Sequence, residues 1–348
     1  MDLGFHDESF SPLYVNEYFL PFMDAYQWSR TQLNHTSPEF GYSVDNIEDI
    51  LANTVQEMEG MVGESKKTHC VGFIGGPPCP DFSVGGKNRG RLGENGKLSK
   101  TYIDLIYKTE PDWFLFENVK GLWRTKRHRE FFEEIKTLIG KKYTVSTRLM
   151  NSIECGAPQD RDRIFMFGIR KDLWGNGEII DWDKGLKYPG SVAWTSSDWP
   201  KTSPYKKNSK RVPPKGIIEE LTVEYWFKRN SVLSHLNGKD HFTPRAGLKK
   251  FESIKEGDDS RKSFKRLHRW RYSPTAAYGN NEVHIHPYKP RRISAAEAMA
   301  IQSMPKNFSL PPSMSLTNKF KTIGNGVPYL MSRHVAKRIR ETLRANLV

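Results

Sequence analysis

The sequence predicts an α/β fold, with a doubly wound parallel sheet in the first half of the chain and a smaller, loop-rich domain after it. In the first half, short apolar runs alternate with segments in which apolar residues recur every three or four positions. This alternation is typical of strands that are connected by amphipathic helices and share one parallel sheet. After about Leu173 the chain becomes rich in Gly, Pro, Ser and aromatic residues, with few periodic stretches. A length of 348 residues fits two such domains.

Four apolar runs are predicted to form strands, and three periodic segments between them are predicted to form helices. The strands are Pro12–Glu17, Val71–Gly76, Trp113–Asn118 and Arg163–Arg170. The helices are Pro21–Leu33, Lys97–Lys108 and Arg129–Ile139. Because ligands of such sheets sit beyond the carboxyl ends of the strands, we expect the site in the loops that follow the first three strands. These loops are Asn16–Glu17, Gly75–Ser83 and Glu117–Gly121.

Regular structure is expected to resume after a loop-rich region that covers residues 174–290. Arg291–Pro305 is predicted to form a helix, because Ser294 followed three residues later by Glu297 has the pattern of a capping box. A last helix is predicted from about Tyr329 to Leu343, and we expect it to pack on the first domain. We therefore predict domain boundaries after residues 173 and 314.

The charge of the chain is strongly basic and unevenly distributed. The sequence has 54 Lys and Arg against 40 Asp and Glu, which gives a net charge of +14. Between Lys201 and Trp270 there are 18 Lys and Arg against 8 Asp and Glu, a local net charge of +10. A focused basic excess favours a polyanionic partner, most often nucleic acid, and the alternative is an ordinary solvated surface.

The remaining composition indicates a cytoplasmic protein. The three cysteines, Cys70, Cys79 and Cys155, do not suggest a disulfide framework. No apolar run is long enough for a transmembrane helix, and the N-terminus lacks the pattern of a secretory signal. His284 and His286 form a His-x-His pair, but no cysteine lies nearby, so we do not expect a metal site there.

Cys79 lies in an unusual loop, Phe73–Gly86, whose sequence is FIGGPPCPDFSVGG. Two glycines and two prolines precede the cysteine and a third proline follows it, so the backbone direction is fixed just past a predicted strand. A cysteine is a good nucleophile only as thiolate, which requires an accessible, electropositive setting. We interpret Cys79 as a nucleophile; the alternative is a small buried residue beside a turn.

Two further segments carry polar residues that suit chemistry. Glu117 ends an apolar strand, so burial is expected to raise its pKa and let it hold a proton near neutral pH. The alternative is a strand-end carboxylate paired with a lysine such as Lys120. Gln159, Arg161 and Arg163 alternate as the chain enters the next strand, which predicts a row of donors on one face. A solvated charged edge is the alternative there.

Taken together, these segments resemble the DNA (cytosine-5) methyltransferases of bacterial restriction–modification systems. GGPPCPDFS contains the catalytic-cysteine motif, ENVKG the Glu-Asn-Val motif and QDRDR the Gln-x-Arg-x-Arg motif. RRISAAEAMAIQSMP is similar to the segment that orders the recognition domain, and GNGVP (Gly324–Pro328) to the last cofactor-site motif. The five motifs follow the family's order over nearly the whole chain. One departure is Pro80, where the family usually has Gln after the catalytic cysteine.

The resemblance implies a reaction and roles for four residues. A methyl group is transferred to C5 of a cytosine within a specific duplex DNA sequence, after the Cys79 thiolate attacks C6. Protonated Glu117 is expected to address N3 and the exocyclic amine, and Arg163 to address O2. Arg161 would position the loop or a phosphate. Because these atoms are unreachable in a stacked base, the cytosine must be flipped out of the duplex. The base that removes the C5 proton stays unassigned.

The implied methyl donor is S-adenosylmethionine, and the implied fold is the Rossmann-like sheet that binds it. Glu17 would bind the ribose hydroxyls, Tyr18 would stack on the adenine, and Asp45 would bond the adenine amine. Further cofactor contacts are expected at Pro77, Leu98, Asn325 and Val327. Residues 1–173 then form the catalytic and cofactor-binding domain without its first strand, 174–314 a target-recognition domain, and 315–348 a segment that returns to the catalytic domain.

The partners implied by the resemblance are duplex DNA and, in function, a restriction endonuclease, with the chain itself acting as a monomer. The target-recognition domain contains KRLHRWRYSPTAAYGNNEVHIHP, which mixes residue types that contact phosphates and base edges. The DNA-binding residues predicted there are Arg266, Arg269, Arg271, Tyr278, Asn280 and Asn281.

The N-terminus departs from the family. MDLGF begins where the family's first strand and Phe-x-Gly-x-Gly loop have just ended, so we expect an active methyltransferase whose frame starts upstream of Met1. The alternative is a chain that binds DNA without methylating it, either a remnant or one subunit of a split enzyme. A tRNA methyltransferase on the same scaffold is a third possibility, which the long basic region disfavours.

Overall fold

The computed structural model describes residues 1–78, 94–174, 179–190, 195, 198–244, 248–276, 278 and 282–346. Within these residues the strands are β1 Val15–Asn16, β2 Tyr42–Ser43, β3 Gly72–Gly75, β4 Trp113–Val119, β5 Tyr143–Asn151 and β6 Asp162–Arg170. The helices of the first half are α1 Asp2–His6, α2 Leu20–Gln32, α3 Ile47–Asn53, α4 Val55–Ser65, α5 Glu94–Thr109, α6 Gly121–Arg124 and α7 Lys126–Ile139. The helices of the second half are α8 Val223–Arg229, α9 Leu248–Ser253, α10 Ala295–Ile301, α11 Leu316–Asn325 and α12 Tyr329–Asn346.

The larger sheet has four strands in the order β3-β4-β6-β5. Strands β3 and β4 are parallel, but β6 runs antiparallel to both of its neighbours. The predicted α/β fold class is confirmed, but the prediction of a parallel sheet was wrong, because two of the three strand pairs are antiparallel. The physical reason lies in the connection 152–161 between β5 and β6, which carries no helix and is too short for the crossover that parallel neighbours require.

The second sheet has only two short strands. β1 and β2 are parallel, with Val15 opposite Tyr42 and Asn16 opposite Ser43. The strand predicted over Pro12–Glu17 is thus limited to its centre. Helices α3 and α4, which follow β2, pack against α5 and the larger sheet. Ile50 of α3, Met58 of α4 and Leu105 of α5 share one apolar cluster, against which Phe73 of β3 packs.

Both faces of the larger sheet are covered by helices, which explains why β4 is an uninterrupted apolar run. Successive side chains of a strand point to opposite faces. Phe114 and Phe116 pack with α5 and α7, whereas Trp113 and Leu115 pack with α12 and with Phe5 of α1. Helices α2, α5 and α7 correspond to the three predicted helices, and α12 corresponds to the predicted last helix.

The loop-rich region contains little regular structure and has a core of its own. Trp226 and Phe227 of α8 pack with buried residues of α10 and α11. The predicted capping box of α10 is present, because Ser294 accepts from the N–H of Glu297 while Glu297 accepts from that of Ser294. Residues 179–182 pack instead with the sheet, so the boundary after residue 173 stays a prediction. None of the helices formed by the described residues combines the length and apolarity of a membrane span.

Candidate active site and nucleic-acid interface

The strand directions bring Glu117 and Arg163 to one edge of the larger sheet. Because β3 and β4 are parallel, both end at this edge, which we call the carboxyl edge. β6 is antiparallel to β4 and therefore begins there, with Arg163 opposite Val119. Glu117 is two residues from Val119 and so lies on the same face, diagonal to Arg163. Long side chains reach each other across such a diagonal.

Glu117 and Arg163 form an ion pair at this edge. Arg163 Nε lies 2.8 Å from Glu117 Oε1, and the two side chains are 10% and 11% exposed. Lys120, the partner considered from the sequence, is bound instead to Asp162 at 2.6 Å. A buried carboxylate with an adjacent guanidinium presents an acceptor and donors to the same space, which suits a planar ring with polar atoms.

The chain segment that leads to Cys79 passes against Glu117. A Cβ atom at Gly76 would lie only 2.7 Å from Glu117 Oε2, so the position has no room for a side chain. Pro77 is next, and its carbonyl accepts a hydrogen bond of 3.4 Å from Asn118 Nδ2. Cys79 itself lies outside the described residues, which stop at residue 78 and resume at residue 94.

Asn118 was not singled out by the sequence analysis, yet it connects the two strand ends. Its side chain is buried, donates to Pro77 and accepts from the N–H of Val119 at 2.9 Å. The signal for it was a polar amide directly after a buried apolar strand and next to a candidate catalytic carboxylate.

The predicted row of donors is not formed. Gln159 and Arg161 are fully buried, and both side chains form hydrogen bonds within the protein. Arg161 donates to the carbonyls of Ala276 at 2.9 Å and Gly324 at 2.6 Å. Gln159 accepts from the N–H of Ala276 at 3.0 Å. Of the three residues, only Arg163 faces Glu117. Arg161 lies before the first residue of β6, so the alternation of side chains between the two faces of a strand does not apply to Arg161.

Glu17, Tyr18 and Asp45 lie together at the carboxyl end of the two-stranded sheet. Asn16 Nδ2 donates to the carbonyl of Asp45 at 2.9 Å, which ties the loops after β1 and β2 to each other. Glu17 accepts from the N–H of Phe19 at 2.9 Å, and partial burial raises its pKa. Tyr18 is 69% exposed. An exposed ring beside two acids fits an adenosine, which offers a flat base and hydroxyl donors.

The other predicted cofactor contacts lie on two helices and on the connection between α11 and α12. Leu98 is half-buried on α5, Asn325 is the exposed last residue of α11, and Val327 is buried in the sheet core. Asn325 follows Gly324, which accepts a hydrogen bond from Arg161. Since Arg161 immediately precedes β6, this contact holds the end of α11 near the carboxyl edge.

Two of the arginines predicted to bind DNA are buried instead of exposed. Arg266 is 1% exposed, and Arg269 is 2% exposed. Arg266 donates to backbone carbonyls, among them Ile254 at 2.9 Å and Lys289 at 3.2 Å. Arg269 forms an ion pair with Glu256 at 2.8 Å. Their donors are committed to the protein, so these two side chains lack the exposure that a phosphate contact requires.

The other predicted DNA-binding residues are placed differently. Arg271 is partly exposed and paired with Asp259. Tyr278 is buried against Phe320, with ring centroids 5.6 Å apart. Asn280 and Asn281 lie outside the described residues.

His284 and His286 belong to the interior of the loop-rich region. Both are 1% exposed. His286 lies 3.4 Å from Glu297, which also binds Arg291 at 2.7 Å. These contacts place His286 in the buried polar network that surrounds the N-terminus of α10, whereas the His284 ring packs edge-on against Tyr278, with ring centroids 5.4 Å apart.

Relatives of this chain are found among DNA methylases. The family model for C-5 cytosine-specific DNA methylase matches residues 1–341. The Type II methyltransferase M.NmeDI of Neisseria meningitidis serogroup C is 51% identical over 346 residues, which are 99% of this chain and 81% of that protein. The Type II methyltransferase M.FnuDI of Fusobacterium nucleatum is 29% identical over 99% of this chain and 92% of its own length.

Solved structures share the fold. The crystal structure of a prophage-encoded protein of E. coli, described as a DNA modification methyltransferase, has a TM-score of 0.64 at 19% identity and covers 98% of this chain and 95% of its own. The S. pombe Dnmt2 methyltransferase has a TM-score of 0.61 at 11% identity, over 99% of this chain and 95% of its own. At these identities the likeness concerns the fold alone. The match of the family model over residues 1–341, together with the relative of 51% identity, shows that this chain belongs to the C-5 cytosine-specific DNA methylases, the DNA (cytosine-5)-methyltransferases.

Proposed function

We propose that this protein methylates C5 of a cytosine within a specific duplex DNA sequence, through a covalent adduct with Cys79, and that this methylation protects the DNA from a cognate restriction endonuclease. The observation that carries the proposal is the Glu117–Arg163 pair at the carboxyl edge, directly beside the segment that leads to Cys79. The names of the relatives as Type II methyltransferases support the restriction–modification role.

The covalent step makes C5 reactive. A cytosine carbon at C5 is a poor nucleophile on its own. When the Cys79 thiolate forms a bond to C6, the C5–C6 double bond is lost and its electron density moves through the ring, so that C5 becomes an enamine-like carbon. After C5 has accepted the methyl group, loss of the C5 proton restores the double bond and expels the Cys79 thiolate.

Glu117 and Arg163 stabilise the negative charge that this attack creates on the cytosine ring. Density accumulates at N3 and O2 as the sulfur–carbon bond forms. In this step Glu117 acts as a carboxylic acid instead of as the carboxylate of the ion pair: it donates a proton towards N3, and its other oxygen accepts from the exocyclic amine. Arg163 donates to O2. Because both side chains are almost fully buried, these interactions act in a medium of low dielectric constant, where they are stronger than in water.

S-adenosylmethionine would supply the methyl group from its sulfonium. Glu17 and Asp45 are suited to bind the ribose and the adenine amine, and the exposed Tyr18 ring is suited to stack on the adenine. Pro77 lies at the carboxyl edge beside Asn118. At this position it would form part of the wall between the cofactor and the cytosine. These residues bind and orient; the transfer needs no further group from them.

The substrate must present its cytosine outside the helix, because Glu117 and Arg163 lie within the protein edge and cannot reach a stacked base. The loop-rich region supplies the surface next to that edge. Arg161 and Gln159 connect the two parts, since both bind the backbone of Ala276. The part of the protein that holds the extruded base and the part that reads the DNA sequence would therefore be connected by these hydrogen bonds.

The deciding experiment maps methylated cytosines in DNA from cells that express the protein, beside cells that express Cys79→Ala. We expect methylation at C5 in one short sequence for the wild type and none for the variant, while the variant still binds duplex DNA. DNA from the wild-type cells should also resist one restriction endonuclease. Methylation that persists without Cys79 contradicts the adduct, and DNA binding without any methylation favours a chain that only binds.

A further inference from the structure

One short segment within the basic stretch Lys201–Trp270 carries a high density of positive charge. Residues 201–216, which we call the basic loop, contain no acidic residue. Every cation in the loop has an exposed side chain. They are Lys201, Lys206, Lys207, Lys210, Arg211 and Lys215.

The charges of the basic loop are not neutralised by neighbouring acids. Among the residues that the structure describes, none of its six cations forms an ion pair. Some other cations of the loop-rich region are paired: Lys228 with Glu224, Lys262 with Glu282 and Arg271 with Asp259. Others, such as Lys239 and Arg261, are exposed and in no ion pair among the described residues. The basic loop differs from these in that it gathers six exposed cations in one short segment without an acid.

The basic loop is also held in place from beneath, which a merely solvated charge run would not require. Ser203 and Glu256 exchange two backbone hydrogen bonds of 2.9 Å. The N–H of Asn208 donates to the carbonyl of Tyr288 at 2.8 Å. The Tyr205 ring lies under the guanidinium of Arg266, 4.0 Å from it.

The strongest anchor is the buried pair of Arg269 and Glu256. Arg269 donates to Glu256 with Nε at 2.8 Å, and it donates to the hydroxyl of Ser209 with a second nitrogen at 2.8 Å. Burial acts to raise the pKa of Glu256, but the hydrogen bonds from Arg269 outweigh it and hold that pKa below its usual value. The pair thus stays charged and fixes the middle of the loop.

We propose that the basic loop binds the phosphate backbone of duplex DNA, and that Arg266 and Arg269 serve this contact by anchoring the loop from within instead of touching DNA. This inference rests on the proposed function, since it assumes that the substrate is duplex DNA. Lysines on an anchored backbone lose less conformational freedom on binding than lysines on a free chain. Such contacts fix the position of a duplex without reading its sequence.

The test compares two variants that lose the same charge at different places. The loop variant carries K201Q, K206Q, K207Q and K210Q. The control variant carries K67Q, K108Q, K141Q and K171Q, four exposed lysines at the edge of the larger sheet opposite the site. All eight side chains are exposed, so both variants should fold. Affinity for a 30-base-pair duplex of arbitrary sequence is measured over a range of salt concentrations.

We expect the loop variant to bind at least tenfold more weakly near physiological salt, whereas the control variant stays within about twofold of the wild type. The slope of log affinity against log salt should decrease by about 0.9 for each phosphate contact that is lost. Equal slopes for the two variants, or a loop variant that binds like the wild type, would overturn the inference.

Methyl transfer separates this inference from the function on which it rests. At saturating DNA the loop variant should methylate at a rate within about twofold of the wild type, because the carboxyl edge is unchanged. If the wild type transfers no methyl group, the proposed function fails, yet the binding comparison still decides whether the basic loop contacts the duplex.

Discussion

At the scale of single residues, the candidate chemistry depends on a pair that comes from two distant parts of the chain. Glu117 ends one strand and Arg163 begins another, and the antiparallel register places them on one diagonal, 2.8 Å apart. A carboxylate that is nearly buried is costly to leave uncompensated, and the guanidinium compensates it. The same pair can then divide the work on a pyrimidine ring, one residue as proton donor and the other as donor to a carbonyl oxygen.

Replacing Glu117 by Gln tests this division. The amide fills the same space and can still donate a hydrogen bond, but it cannot transfer a proton. We expect kcat to fall by on the order of 10²–10⁴, the usual contribution of a general acid or base, with DNA affinity little changed. Single-turnover methylation measures the effect. The control is Glu110→Gln, because Glu110 is bound to Lys142 just before the other end of the same strand and should leave kcat unchanged. Equal losses in both variants would contradict the role.

The role of a single residue can be predicted from the sequence only where its environment is formed by residues close to it in the chain. Glu117 could be identified because a carboxylate at the end of an apolar run stands out in the sequence itself. Arg266 and Arg269 could not be placed correctly, because arginines among aromatic residues have the composition of a nucleic-acid surface. Their burial depends on Glu256 and on backbone carbonyls elsewhere in the fold, which no local pattern reveals.

At the scale of elements, the close approach of β3 to its neighbours shapes the site. A Cβ at Gly72 would lie 1.9 Å from the Trp113 ring, and one at Gly75 would lie 2.3 Å from the Tyr102 ring. Gly76 continues this contact at the carboxyl edge, against Glu117. The glycines before Cys79 therefore let the strand end lie directly on the side chains of its neighbours.

Gly76→Ala should disturb the site more than the fold. The new methyl group would meet Glu117 Oε2 at 2.7 Å, so the carboxylate must turn away from its present position. We expect the methylation rate to fall at least tenfold while the free energy of unfolding changes by only about 1–2 kcal/mol. Urea denaturation and methylation assays measure the two effects.

The control for this change is Gly63→Ala in α4, where a Cβ atom meets nothing within 4 Å. A glycine inside a helix is less favourable than alanine by about 0.5–1 kcal/mol, so this variant should be slightly more stable and fully active. Normal activity of Gly76→Ala would show that Glu117 tolerates the displacement.

The elements differ in how far the sequence predicted them. Trp113–Val119 was found to within one residue, since a strand buried on both faces is apolar throughout. Tyr143–Asn151 was missed, because it lies at the sheet edge and most of its side chains are only partly buried, so that Ser, Thr and Arg interrupt the pattern. The direction of β6 also escaped prediction, because it follows from pairing with this missed strand.

The anchored basic loop permits a further expectation for an element. In the double variant Glu256→Met/Arg269→Met the buried charges are replaced together, which avoids an unpaired buried ion and is often nearly neutral for stability. The contacts of Arg269 with Ser209 are lost. We expect trypsin to cleave after Lys206, Lys207 or Lys210 several times faster than in the wild type, as measured by mass spectrometry. Unchanged cleavage would show that the backbone contacts at Ser203 and Asn208 suffice to hold the loop.

At the scale of the whole molecule, the sheet and the loop-rich region are joined by buried polar side chains as well as by apolar packing. Arg161 binds the backbone at Ala276 and Gly324, and Gln159 donates to the side chain of Gln302 at 3.2 Å. Such a connection fixes the angle between the parts, because each bond is lost if one part turns against the other. A displacement of the loop-rich region would therefore move Arg161 and, with it, the start of β6, where Arg163 lies.

Three buried histidines of the loop-rich region should make this assembly sensitive to acid. Burial lowers the pKa of His268 and that of His286 to about 4, and that of His284 to about 3. Below pH 6.5, the ordinary value, the unfolded chain binds protons on these imidazoles while the folded chain keeps them neutral. Protons then favour the unfolded state, so the free energy of unfolding decreases as the pH falls from about 6.5 towards 4.

Each histidine should account for a loss on the order of 2 kcal/mol at pH 5 relative to pH 7.5. The variant His284→Phe removes one titrating group from an apolar site, where the imidazole stacks edge-on against Tyr278 and Nδ1 has no partner among the described residues. Urea denaturation of both proteins between pH 7.5 and pH 5 should give a shallower decrease for the variant, by about the share of one histidine. If the two stability profiles run parallel, proton uptake at His284 does not drive the acid sensitivity, and another group in the loop-rich region must.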